Sequence, residues 1–367
     1  MIPLIRPTLP KLRSIQKKLR AAFKSGMITN SRYVGEFEQR CAKFLGVKNA
    51  VAVSSGTSAL ILSLKCLGVK NEVIIPSFTF SSSGHSLLWL GLTPVFAEVD
   101  PETFNINPDL IEKKITSKTT AIVATHVFGN PCQIDKIQKI AKKYHLKVIY
   151  DAAHAFGSKY KNKSVAHFGD ISIFSFTPTK VLTTGEGGLI VVKDKKLARI
   201  LRLGRDNGDS FNREEEFLGI SARMDEFSAI LGIEGLKLLP RSLTKRRKIV
   251  NLYKKELAKL PGISFQKTTT GGCSVYKDFA ILVDRKKFGI SRDNLLKELL
   301  RNNIEAKVYF FPPLHKKKVY RKYRKISLPQ TDSLSHCIMS LPLYSFMPQD
   351  QALKVSSLIK KLHKKNL

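Results

Sequence analysis

Lys180 closes the run Ser175-Phe176-Thr177-Pro178-Thr179-Lys180 and is soon followed by Thr184-Gly185-Glu186-Gly187-Gly188. Upstream stands Asp151-Ala152-Ala153-His154-Ala155. A lysine amine forms a Schiff base with an aldehyde, and a buried, desolvated lysine becomes a nucleophile and proton shuttle. A carboxylate at the end of a strand can hold a pyridine nitrogen protonated, which keeps the ring an electron sink. Together these residues point to pyridoxal phosphate (PLP) chemistry.

Other residues join this set, each with a plainer alternative. Ser55-Gly56-Thr57 lies between a strand-like and a helix-like run. Glycine permits close backbone approach, and a helix N-terminus offers free N–H groups, so a phosphate would suit it; an ordinary capped helix is the alternative. Phe80, just past an apolar run, is of a type to stack on a flat ring or to fill a core. Asp151 is either a cofactor partner or the N-cap of a helix through Ala152-Ala153-His154-Ala155. His154 reaches the phenolic oxygen of such a cofactor or is a structural histidine. Lys180 adjoins Pro178 and a glycine turn rather than a charge run, unlike most lysines of this chain. The ordered set is more telling than its members: a phosphate-type turn, an aromatic, a strand-end Asp, then Ser-x-x-x-x-Lys-x-x-x-x-Gly-Glu-Gly-Gly.

The elements that must position these residues alternate along residues 50 to 194. Ala50-Val51-Ala52-Val53, Val73-Ile74-Ile75, Pro94 to Val99, Ala121 to Ala124, Lys147 to Tyr150 and Leu189 to Val192 read as strands. Ser54 to Ser58 opens a helix that runs to about Leu67 and is stopped by Gly68. Continuous apolar, β-branched runs separated by helices predict an α/β fold with a mostly parallel sheet covered on both faces, where ligands bind at the carboxyl ends of the strands. The texture changes near Pro240. Ile249, Tyr253, Leu257 and Leu260 share one helical face, Phe279 to Val283 reads as a strand, and residues 292 to 302 and a last helix burying Ala352, Val355, Ile359 and Leu362 follow. The expected organisation is an N-terminal segment over 1–25 packing with the small domain, a large PLP-binding domain over 26–239, and a smaller α+β domain over 240–367.

The chain has 367 residues, 43% of them hydrophobic, enough for a sizeable core. Lys and Arg number 63 against 29 Asp and Glu, a formal charge of +34, with dense patches such as Lys245-Arg246-Arg247-Lys248, His315 to Lys318 and Arg321 to Lys325. Such a field attracts phosphates and polyanions and is silent about the fold. It also admits a nucleic-acid-binding protein on a retired enzyme scaffold, but the charge is spread over all elements and not interleaved with aromatics in one stripe. The five cysteines are scattered without metal spacing and read as reduced thiols of a cytoplasmic protein, with no metal site expected. No apolar run has the roughly 20 residues needed to span a bilayer, and the proline-rich start does not read as a signal peptide.

Across nearly its whole length the chain resembles the DegT/StrS family of PLP-dependent sugar aminotransferases, which have the aspartate aminotransferase-like (type I) fold. The resemblance rests on Ile2-Pro3-Leu4, Ser55 to Leu60, Glu72 to Phe80, Thr125-His126-Val127-Phe128-Gly129, Asp151 to Gly157, Phe174 to Gly188, Pro313-Leu314-His315 and Leu341-Pro342-Leu343. It implies that Lys180 forms the Schiff base and then shuttles the proton, and that Asp151 pairs with the pyridine nitrogen. It places His154 near the phenolic oxygen, Gly56, Thr57 and Ser175 on the phosphate, and Phe80 on the ring. It implies transfer of an amino group, usually from L-glutamate, to a 3- or 4-keto sugar on a nucleotide diphosphate, by a homodimer whose active sites are shared between chains.

The chain departs from that pattern at four places. His154 stands where glutamine is usual. Ser221, in Gly219-Ile220-Ser221-Ala222-Arg223, replaces an Asn that commonly reaches the neighbouring subunit's phosphate. Lys70-Asn71 replaces Gly-Asp. Lys307 replaces an arginine. One branch of the family carries histidine in place of the Schiff-base lysine and dehydrates the sugar; Lys180 argues against that branch, which leaves dehydration or another PLP reaction as the alternative on the same fold.

Overall fold

The computed structural model describes residues 1–209 and 215–365. Three N-terminal elements precede the first alternation: helices α1 (Leu12–Ser25) and α2 (Arg32–Leu45), then strand β1 (Asn49–Val53). Helix α3 (Gly56–Cys66), β2 (Glu72–Pro76), α4 (Ser81–Trp89), β3 (Thr93–Ala97), β4 (Thr119–Thr125), α5 (Ile134–Lys143) and β5 (Lys147–Asp151) follow. Then come β6 (Ile171–Ser175), β7 (Gly188–Val192), α6 (Lys195–Gly204) and the long α7 (Glu226–Leu257).

The strands form one seven-stranded sheet in the order β1-β7-β6-β5-β4-β2-β3. Strands β2 to β6 pair in parallel, and β7 runs antiparallel to both its neighbours β1 and β6. Strands β1 to β6 therefore all end on the same edge. Their continuous apolar runs are explained by burial on both faces: one core cluster holds Ala50, Ala52, Ile74, Ile122 and Val148, and another holds the alternate residues Val51, Val53, Val73, Ile75 and Ile149. Thr125 lies beside Asp151, Asp151 beside Ile173, and Ser175 beside Gly188, so the register brings the candidate residues to one edge.

The second sheet is three-stranded: Ile263–Phe265, Phe279–Val283 and Ile338–Leu341, with the last strand beside the helix Arg292–Arg301, and with the helix Gln349–Lys365 packed on that helix and on α7. Its core includes Ile249, Tyr253 and Leu257 of α7 together with Ala352, Val355, Ile359 and Leu362. Helix α7 runs unbroken through Pro240, where the composition changes. Its early turns, to Leu243, pack in the large core, and from Ile249 onward it packs in the small one. One helix thus belongs to both units, and the 239/240 boundary falls inside it. Of residues 1–25, Ile2 and Leu4 bond to Asn303, Glu305 and Leu343 beside the small sheet, whereas α1 lies against α7 with Ala22 in the large core. Among the described residues no helix is long and apolar enough to cross a membrane.

Candidate active site

A cavity of about 360 Å³ opens at the carboxyl edge of the large sheet, and it contains every candidate residue: Gly56, Thr57, Phe80, Asp151, His154, Ser175 and Lys180. Its floor is built by strand ends. Ser175 is the last residue of β6 and Asp151 the last of β5.

At the start of α3 both readings of Ser55-Gly56-Thr57 hold together. Ser55 caps the helix by accepting the Ser58 N–H, and the Ser58 side chain accepts the Ser55 N–H in return. The N–H groups of Gly56 and Thr57 find no acceptor among the described residues. Gly56 is needed for close approach: a Cβ there would lie 2.9 Å from the Ser175 Cβ and 3.3 Å from its Oγ. Two free amides and the Ser175 hydroxyl therefore share a small cup at a helix N-terminus, a natural seat for a phosphate. The Thr57 hydroxyl is tied to Ser82 Oγ at 2.8 Å. Phe80 is no core residue: it is 58% exposed and lines the cavity at the head of α4.

Asp151 is buried, and no helix begins there. Its Oδ1 accepts the Ala153 N–H at 3.1 Å and its Oδ2 accepts the Ser83 hydroxyl at 2.6 Å. A hydroxyl chain backs it up: Thr79 Oγ1 lies 3.1 Å from Ser83 Oγ and 2.9 Å from Thr125 Oγ1. Burial raises the Asp151 pKa, offset in part by these hydrogen bonds and by the charge of Lys180. A buried carboxylate held in this way lacks a cation partner of its own kind, which a protonated ring nitrogen supplies.

His154 is buried beside the rings of Phe128 and Phe310, at centroid distances of 6.2 and 6.4 Å, and those two rings lie 5.9 Å from each other. Its Nδ1 accepts the Phe128 N–H at 3.2 Å. Burial, then the charges of Lys180 and Lys277, push its pKa well below the ordinary value, so the ring is neutral and the remaining proton sits on Nε2. Lys180 is half-buried, in the turn between β6 and β7. Burial is the largest cause of its depressed pKa, about 7, with the Lys277 charge second; Asp151, Asp278 and Glu186 act in the opposite direction. A lysine so placed holds a large fraction of free amine near neutral pH, which an exposed lysine does not.

The opposite wall comes from late in the chain: Lys277, Lys307, Tyr309 and Phe310. This segment is pinned to the large sheet just beyond β2. Leu314 N–H donates to the Ser77 carbonyl at 3.0 Å, His315 N–H to Ser77 Oγ at 3.1 Å, and Ser77 Oγ lies 2.6 Å from His315 Nδ1. Sequence reasoning missed Ser83, Thr79, Thr125, Lys277 and Tyr309. The hydroxyl-rich run 81–86 gives no apolar period, and the structure shows why: Ser83 and Ser86 are buried with their hydroxyls bonded, so this helix carries polar groups inward. Ser221 lies outside the cavity, exposed, with its Oγ accepting from Arg223 at 3.0 Å.

The DegT/DnrJ/EryC1/StrS aminotransferase family matches residues 11–360. This chain belongs to that family. The dTDP-4-amino-4,6-dideoxy-D-glucose transaminase of Escherichia coli is 34% identical to this aminotransferase over 98% of each chain. The GDP-perosamine synthase of Vibrio cholerae is 32% identical, again over 98% of both. The solved structure of DesI in the presence of its TDP-sugar product has a TM-score of 0.94 at 32% identity, covering 100% of this chain and 94% of that one. Helicobacter pylori PseC, an aminotransferase involved in the biosynthesis of pseudoaminic acid, has a TM-score of 0.93 at 28% identity over 99% of this chain. The aminotransferase has the type I fold and depends on pyridoxal phosphate. Its cavity fits that group: a cup of amides at a helix N-terminus and a buried carboxylate, neither with a partner cation or acceptor among the described residues, and a lysine of low pKa lining the same space.

Proposed function

We propose that this aminotransferase moves an amino group from L-glutamate to the keto group of a nucleotide-diphosphate-linked sugar of the 3- or 4-keto-6-deoxyhexose type. The observation that carries the residue roles is the meeting, in one cavity, of a half-buried low-pKa Lys180 with the buried strand-end Asp151. The nucleotide-sugar reading rests on likeness over nearly the full length to relatives named for such substrates.

In this reading pyridoxal phosphate, when bound, supplies an electron sink for the carbon that carries the amine. The chain does the rest. Lys180 Nζ would be the amine that holds the cofactor's aldehyde carbon, and as a free amine it would move the proton at the substrate carbon. Asp151 keeps the ring nitrogen protonated, and Ser83 and the Ala153 N–H keep Asp151 aimed. His154 would donate its Nε2–H to the phenolic oxygen; the acceptor bond at its Nδ1, which leaves the proton on Nε2, supports that role. The Gly56 and Thr57 amides and the Ser175 hydroxyl hold the phosphate, and Phe80 covers a ring face. The chain works as a homodimer whose partner completes the cavity mouth, and the diphosphate is drawn in by the field of the +34 charge.

Incubation with nitrogen-15 glutamate and a panel of nucleotide-linked 3- and 4-keto sugars, read by mass spectrometry, tests the proposal. A labelled amino sugar with glutamate-dependent yield is expected. A dehydrated product formed without glutamate would overturn it in favour of the alternative PLP reaction.

A further inference from the structure

Lys277 is a charged residue of the cavity that the reaction above leaves without a task. It is one of the most enclosed lysines of the chain, 3% exposed, yet it lines the same cavity as Lys180 and His154. Burying an ammonium is costly unless something holds it there. Here the Asp278 carboxylate pairs with the ammonium, and main-chain bonds fix where the side chain starts. The Lys277 N–H donates to the Phe128 carbonyl at 2.9 Å, and the buried Arg246 guanidinium donates to the carbonyls of Tyr276 and Lys277 at 2.8 and 2.7 Å. Phe128, in the left-handed region at φ 56°, turns its own N–H onto His154 Nδ1. One residue therefore locks Lys277 and His154 into a common frame. The Lys277 ammonium lies 2.9 Å from an Asp278 carboxylate oxygen and 5.2 Å from the centroid of the Tyr309 ring.

We propose that Lys277 is a positioning residue of the reaction, an anchored positive charge in the wall of the cavity that also holds the Lys180 amine. The groups that face Lys180 are Lys277, Asp151, Asp278, Glu186 and the neutral His154. Those around Lys277 are Asp278, Tyr309, Arg246 and, at Tyr309, the exposed Lys307. The carboxylates pull Lys180 toward its charged form; in the wall itself Lys277 is the buried cation that pushes the other way, and Asp278 moderates it. A lysine that must give up its proton between steps gains from a charge that cannot swing away, which explains why Lys277 is built in by backbone bonds and not left on a flexible surface. The inference deepens the role proposed for Lys180 and does not depend on the amino donor or the sugar.

The test uses the full-length apoprotein and a small amine-acylating reagent, with labelling of the Lys180 peptide quantified by mass spectrometry across a pH series. The wild type is expected to label with a midpoint of about 7. Lys277→Met is expected to move that midpoint up by roughly one pH unit, about tenfold slower labelling at neutral pH. Lys277→Arg keeps the charge and should restore the wild-type midpoint, which a merely packing role would not predict. Asp278→Asn serves as the second arm if Lys277→Met does not fold: removing the moderating carboxylate should lower the midpoint. Unchanged midpoints in folded Lys277→Met, or in Asp278→Asn, overturn the proposal. Because the assay needs no turnover, it can fail while the aminotransferase reading stands, and the reverse.

Discussion

The two walls of the cavity are built differently. One wall is made of strand ends and a helix start: Asp151, Ser175 and Gly56 sit where the sheet register and a capped helix put them, within a stretch of chain that alternates regularly. The other wall is made of Lys277, Lys307, Tyr309 and Phe310, which arrive from late loops: Lys277 is held by Phe128 and Arg246, and the 307–310 segment leads into Leu314 and His315, which bond to Ser77. The first wall suits a group that is the same in every turnover, the cofactor. In the proposed reading the 307–310 segment of the second suits what changes, the substrates, while Lys277 serves the Lys180 amine. Parallel sheets place invariant chemistry cheaply because strand ends converge; a variable face needs loops that can be altered without disturbing the sheet.

Substitutions can break this contrast or sharpen it. The largest effect belongs to Lys180→Ala, which should abolish glutamate-dependent transamination, by about 10³-fold or more, as for loss of a positioned proton-transfer group. Full activity in that variant would end the assignment. Asp151→Asn should lower turnover by about 10²-fold, the scale for losing one preorganised electrostatic contact. Because burial already disfavours the Asp151 charge, thermal unfolding of the Asp151→Asn apoprotein should show no loss of stability near neutral pH. Gly56→Ala puts a methyl against Ser175, and an overpacking cost of about 1.4 kcal/mol would weaken cofactor affinity about tenfold. Equilibrium dialysis of PLP reads that directly. Lys307→Met, on the variable wall, should raise the KM for the sugar about threefold to fivefold, the worth of an exposed charge contact, and leave PLP affinity unchanged. A loss of cofactor binding instead would erase the distinction between the walls.

The pH dependence of cofactor capture sharpens the first wall further. Only the free amine attacks the aldehyde, and the Lys180 pKa is lowered to about 7. The rate at which apoprotein takes up PLP should therefore rise as pH passes through about 7 and level off above it. An unshifted lysine would give a rise that continues toward roughly 10.4.

The same contrast marks what was legible in the sequence. Six strands of the sheet and the helix after Ser55 follow from apolar runs and cap signals, and the cavity gathers Thr125 and Asp151, the ends of two of them. Strand β6 and helix α4 were not legible. The first is short and mixes Ser172 and Ser175 with its apolar residues, and the second buries serines whose worth depends on partners far away, Ser83 on Asp151 above all. Lys277 was hidden for another reason. In a chain with 63 Lys and Arg, nothing local distinguishes a buried lysine from a solvated one; only the bonds from Phe128 and Arg246 do. The texture change at Pro240 was visible, yet the helix runs on through it, because α7 exchanges one core for the other without stopping.

The visible absorbance spectrum of the purified protein supplied with PLP, before and after L-glutamate, tests the central claim most directly. The account predicts the long-wavelength band of a lysine-linked cofactor, lost on adding glutamate as the amino form of the cofactor accumulates, and no such band in Lys180→Ala. A protein that takes up no PLP, or one whose band is unchanged in Lys180→Ala, would contradict it.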